Sequence, residues 1–174
     1  MKTITVFCSS KSNLNSIYKK NVINLIRNID TKKYNLAYGG GTIGLMGLVR
    51  SEWQGNIISS NMTKFIEDGI IDTFVFDNII DRQKKLVEIG DSYLVLPGGY
   101  GTHYEMLEVI TKNDVREANK PIFIFNVNNI FDSFISHIKK LCYEGFITRD
   151  FDQLQIYVEN DYIKLISLIE KYCV

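Results

Sequence analysis

The chain alternates short apolar runs with longer amphipathic stretches. Seven runs have the length and composition of strands: Ile4–Ser10, Tyr34–Tyr38, Asn56–Ser60, Thr73–Phe76, Ser92–Leu96, Pro121–Val127 and Gln155–Val158. Six stretches have helical periodicity: 14–29, 43–53, 78–89, 103–117, 130–143 and 160–172. This alternation predicts parallel strands joined by helical crossovers. We expect an α/β fold, a Rossmann-like, doubly wound, mostly parallel sheet flanked by helices, in one domain over residues 1–174. The segment 59–72 has no clear period.

Composition narrows the function classes. The 174 residues include 20 Lys and Arg and 20 Asp and Glu, so the formal net charge is zero. A binder of nucleic acid or of membrane surfaces usually carries clustered excess positive charge, so neither partner is expected. Three cysteines and two histidines, widely spaced, argue against a disulfide framework and a zinc site. The chain shows no signal peptide and no long apolar run, which predicts a cytoplasmic protein.

The first glycine-rich turn, Gly39 to Gly47, follows a predicted strand and opens a predicted helix. Gly39, Gly40 and Gly41 allow close backbone approach to a ligand, and the helix N-terminus is expected to offer free N–H groups to an anion. Two other interpretations stay open. The turn has a dinucleotide-like GxGxxG spacing, but the acidic residue expected about 20 positions later is absent. It also fits a tight turn that binds nothing.

The second glycine-rich turn, Pro97 to Thr102, also follows a predicted strand. Gly98, Gly99 and Gly101 predict a phosphate cradle formed by backbone N–H groups and by the Thr102 hydroxyl, which could also cap the next helix. Glu105 lies three residues after Thr102, so a capping box would explain it structurally. A first-turn carboxylate beside a phosphate costs local repulsion, however, which favours a functional role.

The predicted helix 78–89 carries polar residues within its apolar side. Five apolar residues fall on one side of this helix: Ile79, Ile80, Leu86, Val87 and Ile89. Arg82 and Gln83 fall inside the same sector. A buried guanidinium is costly unless it meets an anion. Arg82 either extends to water from the edge of the stripe or faces an anionic ligand or a carboxylate such as Glu105.

Two long motifs in this order resemble the Lonely guy (LOG) family of cytokinin riboside 5′-monophosphate phosphoribohydrolases, long labelled possible lysine decarboxylases. They are Gly-Gly-Gly-x-x-Gly-Leu-Met-Gly at 39–47 and Pro-Gly-Gly-x-Gly-Thr-x-x-Glu at 97–105. Shorter matches include Ile110-Thr111, Lys120-Pro121 and Glu144 to Ile147, so the resemblance spans nearly the whole chain.

The resemblance implies that Arg82 and Glu105 are the catalytic pair, 23 residues apart. It further implies ligand contacts at Gly99, Tyr100, Gly101, Thr102 and Thr111. We add the neighbouring Gly39, Gly40, Gly41, Gly98 and Gln83 as candidate substrate contacts. A homodimer with sites near the subunit interface is implied, with no metal and no cofactor.

The chain departs from the family pattern at several positions. Gln83 replaces a lysine, Lys11 replaces a serine and Lys112 replaces a tryptophan. A family acidic contact falls near Lys64 and Glu67 and is not assigned to one residue. These departures affect substrate preference more than reaction type.

The expected substrate is a purine nucleoside 5′-monophosphate, and the expected products are a free base and ribose 5-phosphate. Glu105 would stabilise an oxocarbenium-like transition state and position or deprotonate water, while Arg82 would orient the substrate and hold Glu105 ionised. The alternative is a non-catalytic nucleotide or cofactor carrier of the same fold, which would need the glycine turns but not Glu105. A pyridoxal-phosphate decarboxylase is disfavoured, because no lysine stands in an evident cofactor context.

Overall fold

The computed structural model describes residues 1–66 and 73–173. Glu67 and the rest of the segment 67–72 lie outside the described residues. The strands are β1 Lys2–Phe7, β2 Tyr34–Tyr38, β3 Ile57–Met62, β4 Phe74–Phe76, β5 Ser92–Val95, β6 Ile122–Phe125 and β7 Ile156–Glu159. The α-helices are α1 Ser16–Asn28, α2 Gly44–Glu52, α3 Ile79–Ile89, α4 Tyr100–Asp114, α5 Asp132–Tyr143 and α6 Tyr162–Tyr172.

The described strands form one sheet in the order β4-β3-β2-β1-β5-β6-β7. Every pairing is parallel, so the prediction of a mostly parallel, doubly wound sheet is confirmed and the sheet is more uniform than expected. The chain runs outward from β1 to β4 and then crosses back to β5. The β1–β5 junction is therefore the topological switch point, where the carboxyl ends of strands leave room for ligands in such folds.

The core has two halves, one on each face of the sheet. Successive strand residues point to opposite faces, so Phe123 joins one half and Ile124 the other. Helices α1, α2 and α6 cover the first face, while α3, α4 and α5 cover the second. Because both faces are covered, continuous apolar runs such as β6 are fully buried. No helix in the described ranges is both long and apolar enough to cross a membrane.

Two predicted boundaries near the switch point were wrong. Strand β1 ends at Phe7 and not at Ser10, because the chain turns away to pass over the start of α2. Helix α4 begins at Tyr100 and not at 103, so the last part of the second glycine turn is the first helical turn. This earlier start changes which atoms face the cleft.

The predicted burial of the apolar side of α3 is correct only for the later turns of the helix. Leu86 and Val87 are buried, and Arg82 and Gln83 are buried beside them, as the pattern predicted. Ile79 and Ile80 are 54% and 70% exposed, so their assignment to a buried side was wrong. A helix that follows a parallel strand begins at the carboxyl edge of the sheet, so the first turn of α3 lies beside that edge.

Candidate active site

A cleft of about 710 Å³ opens at the carboxyl end of the sheet. It is lined by residues at or after the carboxyl ends of β1, β2, β3 and β5 and by the first turns of α2, α3 and α4. Nine of the twelve predicted site residues line it: Gly39, Gly41, Arg82, Gln83, Gly99, Tyr100, Gly101, Thr102 and Glu105. Residues from both glycine turns and from α3 therefore meet in one cavity, as the sequence indicated.

Arg82 is fixed by hydrogen bonds on three sides. Its Nε donates to the carbonyl of Ser60 at 2.9 Å, and its Nη1 donates to Glu105 Oε1 at 2.7 Å and Gln83 Oε1 at 3.3 Å. The hydroxyl of Ser60 donates in turn to the Arg82 carbonyl. The guanidinium is thus buried and paired and does not extend to water. The prediction that Arg82 faces inward and meets a carboxylate such as Glu105 is therefore confirmed.

Glu105 is 5% exposed and forms an ion pair with Arg82 inside the cleft. Burial raises the pKa of Glu105, while the charge and hydrogen bond of Arg82 lower it by less, so the pKa lies above the usual value. Arg82 therefore offsets only part of the cost of ionising Glu105, whereas we expected it simply to hold the carboxylate ionised. A carboxyl with a raised pKa is a stronger base than an ordinary glutamate.

Cys8 lies against this pair at the end of β1 and also lines the cleft. Burial, followed by the nearby Glu105, raises the pKa of the Cys8 thiol far above its usual range. The neutral thiol is a poor nucleophile. Cys8 is therefore interpreted as a packing residue.

The N-terminus of α4 is open to the cleft. Its cap residue is Gly99, and no side chain caps it. The first N–H groups of a helix have no intrahelical acceptor, so Tyr100, Gly101 and Thr102 present donors there. The expectation that Thr102 caps this helix was wrong, because Thr102 is its third residue. Glu105 lies in the second turn and bonds Arg82, so the capping box is excluded as well.

The reason for glycine at position 98 differs from the reason for glycine at positions 99 and 101. A Cβ on Gly98 would overlap the Thr102 side chain, so glycine is required there for packing. A Cβ added to Gly99 or to Gly101 would have no other side chain or distant backbone of the described residues within 4 Å. Packing does not explain these two glycines, whereas close approach of a ligand to the backbone does.

The N-terminus of α2, by contrast, is closed. The N–H groups of Leu45 and Met46 donate to the carbonyl of Ser9, at 2.9 and 3.2 Å. Gly44 has φ of 68° and lies so close to the Lys11 backbone that a Cβ would collide with it. The expectation that the first glycine turn offers free helical N–H groups to an anion was therefore wrong. The Ser9 carbonyl, in the loop after β1, accepts the hydrogen bonds that an anion would otherwise accept.

Three predicted contacts do not line the cleft of this chain. Gly40 packs against Asn61 with φ of 85°, and Gly98 packs against Thr102. Thr111 is exposed on α4, two turns beyond Glu105. Sequence reasoning left out several lining residues, notably Met46, Asn61, Met62, Phe65 and Ile66, and it assigned no contact to Lys64, which also lines the cleft. All of these except Met46 lie in the aperiodic segment 59–72, and a lack of period gives no signal of contact.

Comparison with known proteins identifies the family of this chain. The family described as possible lysine decarboxylase matches residues 31–168. The cytokinin riboside 5′-monophosphate phosphoribohydrolase LOG5 of Arabidopsis thaliana is 32% identical over 181 residues, covering 98% of this chain and 78% of the relative. LOG2 of the same plant, which has the same enzyme name, is 29% identical over 179 residues, covering 98% and 84%.

Among solved structures, the molybdenum cofactor carrier protein of Chlamydomonas reinhardtii aligns with a TM-score of 0.73. It is 16% identical, and the alignment covers 98% of this chain and 97% of that protein. At this identity the likeness shows a shared fold alone. The sequence relatives and the family match carry the assignment: the chain belongs to the family described as possible lysine decarboxylase, the Lonely guy (LOG) family.

Proposed function

We propose that this chain, as a single domain, hydrolyses the N-glycosidic bond of adenosine 5′-monophosphates, with or without an N6 substituent. The observation that carries the proposal is the buried Arg82–Glu105 pair, placed in the same cleft as an uncapped helix N-terminus. The relatives named phosphoribohydrolases support the reaction type.

The phosphate is assigned to the N-terminus of α4. The backbone N–H groups of Tyr100, Gly101 and Thr102 provide donors, and the helix dipole favours negative charge there. Lys11 and Lys64 line the same cleft. They supply positive charge locally, which matters because the net charge of the whole chain is zero. Binding through a remote phosphate explains a preference for monophosphates over nucleosides, because that binding energy can be used at the reacting carbon.

The sugar is assigned to the space beside Arg82 and Glu105. Water adds its oxygen to C1′ and gives one proton to the Glu105 carboxylate. The C1′–N9 bond breaks, and the base leaves with the bonding electron pair and takes up a proton from bulk water, while Glu105 returns its proton to bulk water and becomes a carboxylate again. As positive charge develops at C1′, the carboxylate stabilises it. Arg82 holds Glu105 in place, and no metal or cofactor enters this scheme.

The base is assigned to the apolar part of the cleft. Met46, Met62, Phe65, Ile66 and Tyr100 are among the residues that line the cleft. Methionine and aromatic side chains adapt to flat rings and to aliphatic substituents. This composition supports a purine, and it leaves the choice between plain and N6-prenylated adenine to the assay.

We also propose a homodimer with the site near the interface, in the cytoplasm. Ile80 and Tyr100 are 70% and 98% exposed near the cleft, and such apolar exposure is typical of a contact surface. Three free cysteines fit a reducing compartment. Sedimentation velocity should give a dimer that Ile80→Asp weakens. A monomeric wild-type chain at micromolar concentration would contradict this part of the proposal.

The test is product analysis with AMP and N6-isopentenyl-AMP. We expect free base and ribose 5-phosphate by mass spectrometry, with loss of both products in Arg82→Ala and Glu105→Gln. The second candidate is a carrier, favoured only by the shared fold. Tight binding of the intact nucleotide without cleavage, unchanged in Glu105→Gln, would favour the carrier and reject the hydrolase.

A further inference from the structure

The second glycine turn is held by a histidine on the helix that follows it. His103 Nδ1 lies 2.9 Å from the carbonyl oxygen of Gly99, and the backbone N–H of His103 donates to the same oxygen at 3.0 Å. A carbonyl oxygen only accepts hydrogen bonds, so Nδ1 carries a proton and donates. Position 103 is one of the two variable positions between Thr102 and Glu105 in the family motif, so the resemblance assigns no role to it.

The ring of His103 is restricted by two aromatic neighbours and lies outside the lining of the cleft. Its centroid is 5.7 Å from the ring of Phe131 and 5.5 Å from that of Phe134, which it meets edge-on. Phe131 is fully buried, so the imidazole leans on the core. Because these contacts already restrict the ring, little further side-chain entropy is lost when Nδ1 bonds Gly99.

The bond to His103 determines the direction of the Tyr100 N–H group. In a trans peptide the C=O and N–H groups point in opposite directions. The Gly99 carbonyl points into α4, so the Tyr100 N–H points out of the N-terminal end of the helix, which is uncapped and lines the cleft. Glycine restricts its own backbone less than any other residue, so the side-chain bond supplies the restraint on this peptide.

We propose that His103 is a positioning residue for the phosphate group of the substrate. It acts through Gly99, because it holds the Gly99–Tyr100 peptide with the Tyr100 N–H already aligned when the phosphate arrives. A donor that is aligned in advance does not have to be ordered on binding, which strengthens the complex. This inference rests on the proposed function, which assigns the phosphate to the N-terminus of α4.

Two substitutions separate the hydrogen bond from the packing of the ring. His103→Phe keeps an aromatic ring against Phe131 and Phe134 but removes the donor. His103→Asn removes the ring but keeps an N–H donor near the position of Nδ1. Asparagine can make this bond in a helix of this chain, because Asn21 and Asn28 in α1 donate to the carbonyl four residues earlier, at 2.8 and 2.7 Å.

The test measures KM and kcat for AMP together with the melting temperature. His103→Phe should raise KM about five- to tenfold, the effect of one hydrogen bond, with kcat within about twofold of the wild type. His103→Asn should retain the wild-type KM and melt at a lower temperature, because it loses the aromatic contacts. His137→Phe, at the exposed second histidine, is the matched control and should leave KM unchanged. An unchanged KM in His103→Phe, or an equal rise in both His103 variants, overturns the inference.

A spectroscopic measurement tests the bond directly. In a long-range nitrogen–proton correlation spectrum of the neutral imidazole, Nδ1 of His103 should be the protonated nitrogen. The opposite tautomer, with the proton on Nε2, cannot donate to Gly99 and overturns the inference. A structural role in packing alone would not select one tautomer.

Failure of the proposed function gives a different result from failure of this inference. A chain that releases no base from AMP refutes the function. Dissociation constants for AMP, measured by calorimetry in the Glu105→Gln background, still test the alignment without turnover. Adding His103→Phe should weaken AMP binding about five- to tenfold, whereas adding His103→Asn should leave it unchanged. Equal affinity with and without His103→Phe overturns the inference in this measurement too.

Discussion

The guanidinium of Arg82 occupies the space that a side chain at position 39 would need. A Cβ built on Gly39 would overlap Arg82 Nη2. Gly39 has no positive φ, so the backbone conformation alone does not require glycine there. The glycine turn after β2 therefore has a structural purpose that neither the dinucleotide-binding nor the ligand-free interpretation contained. It makes room for the arginine that pairs with Glu105.

Gly39→Ala should displace this arginine. Misplacement by about 1 Å can lower turnover about a hundredfold, because the reacting groups lose their alignment. We expect kcat for AMP to fall by that order while the fold persists, as measured by circular dichroism and steady-state kinetics. Ser51→Ala, at an exposed position on α2, serves as the control. Unchanged kcat in Gly39→Ala would show that Arg82 is not needed in this position.

Gly101→Ala should separate stability from binding. The added methyl meets no described protein atom within 4 Å, and alanine favours a helix over glycine by roughly 0.5–1 kcal/mol. We therefore expect an equal or higher melting temperature. The methyl would enter the space assigned to the phosphate, so the KM for AMP should rise about tenfold or more, a loss of at least about 1.4 kcal/mol of binding. A stable variant with unchanged KM would place the phosphate elsewhere.

Glu105→Gln removes the proposed base and keeps the shape of the side chain. Positioned acid–base groups typically contribute about 10²–10⁴ in rate, so kcat should fall by that range. KM should change little, because the phosphate supplies most of the binding. Glu88→Gln, at an exposed glutamate on α3, should retain full activity in the same assay. Equal activity of the two variants would remove Glu105 from the mechanism.

The pH dependence follows from burial of Glu105. Its pKa is raised mainly because burial disfavours the charged form. Activity that needs the carboxylate is lost as pH falls through this pKa. The acid limb of kcat/KM should therefore lie above the ordinary glutamate pKa of about 4.3. A limb at or below that value in the pH–rate profile would contradict the assignment.

The same shift affects stability with the opposite sign. A folded-state pKa above the unfolded value means that the folded chain binds the proton more tightly. This contribution to stability is present below the unfolded-state pKa and is lost as pH rises through the folded-state pKa. Relative to Glu105→Gln, the wild-type free energy of unfolding should decline across that interval in urea titrations at several pH values. A rising difference would contradict the raised pKa.

Sequence patterns predicted the sheet and the inward position of Arg82, because both leave periodic signals. Arg82 was identified because a charged residue interrupts an apolar stripe. The patterns failed where tertiary contacts decide the outcome. The Ser9 carbonyl closes the N-terminus of α2 through a bond between distant segments, which no local motif records. The start of α4 at Tyr100 was also missed, because a glycine-rich segment can form either a turn or the first turn of a helix.

Helix α3 is the crossover that returns the chain from β4 to β5, while α4 belongs to the half of the sheet built after it. The Arg82–Glu105 bond therefore joins the helix that precedes β5 to the helix that follows it. Under the proposed function, turnover therefore requires both helices to be docked against β5.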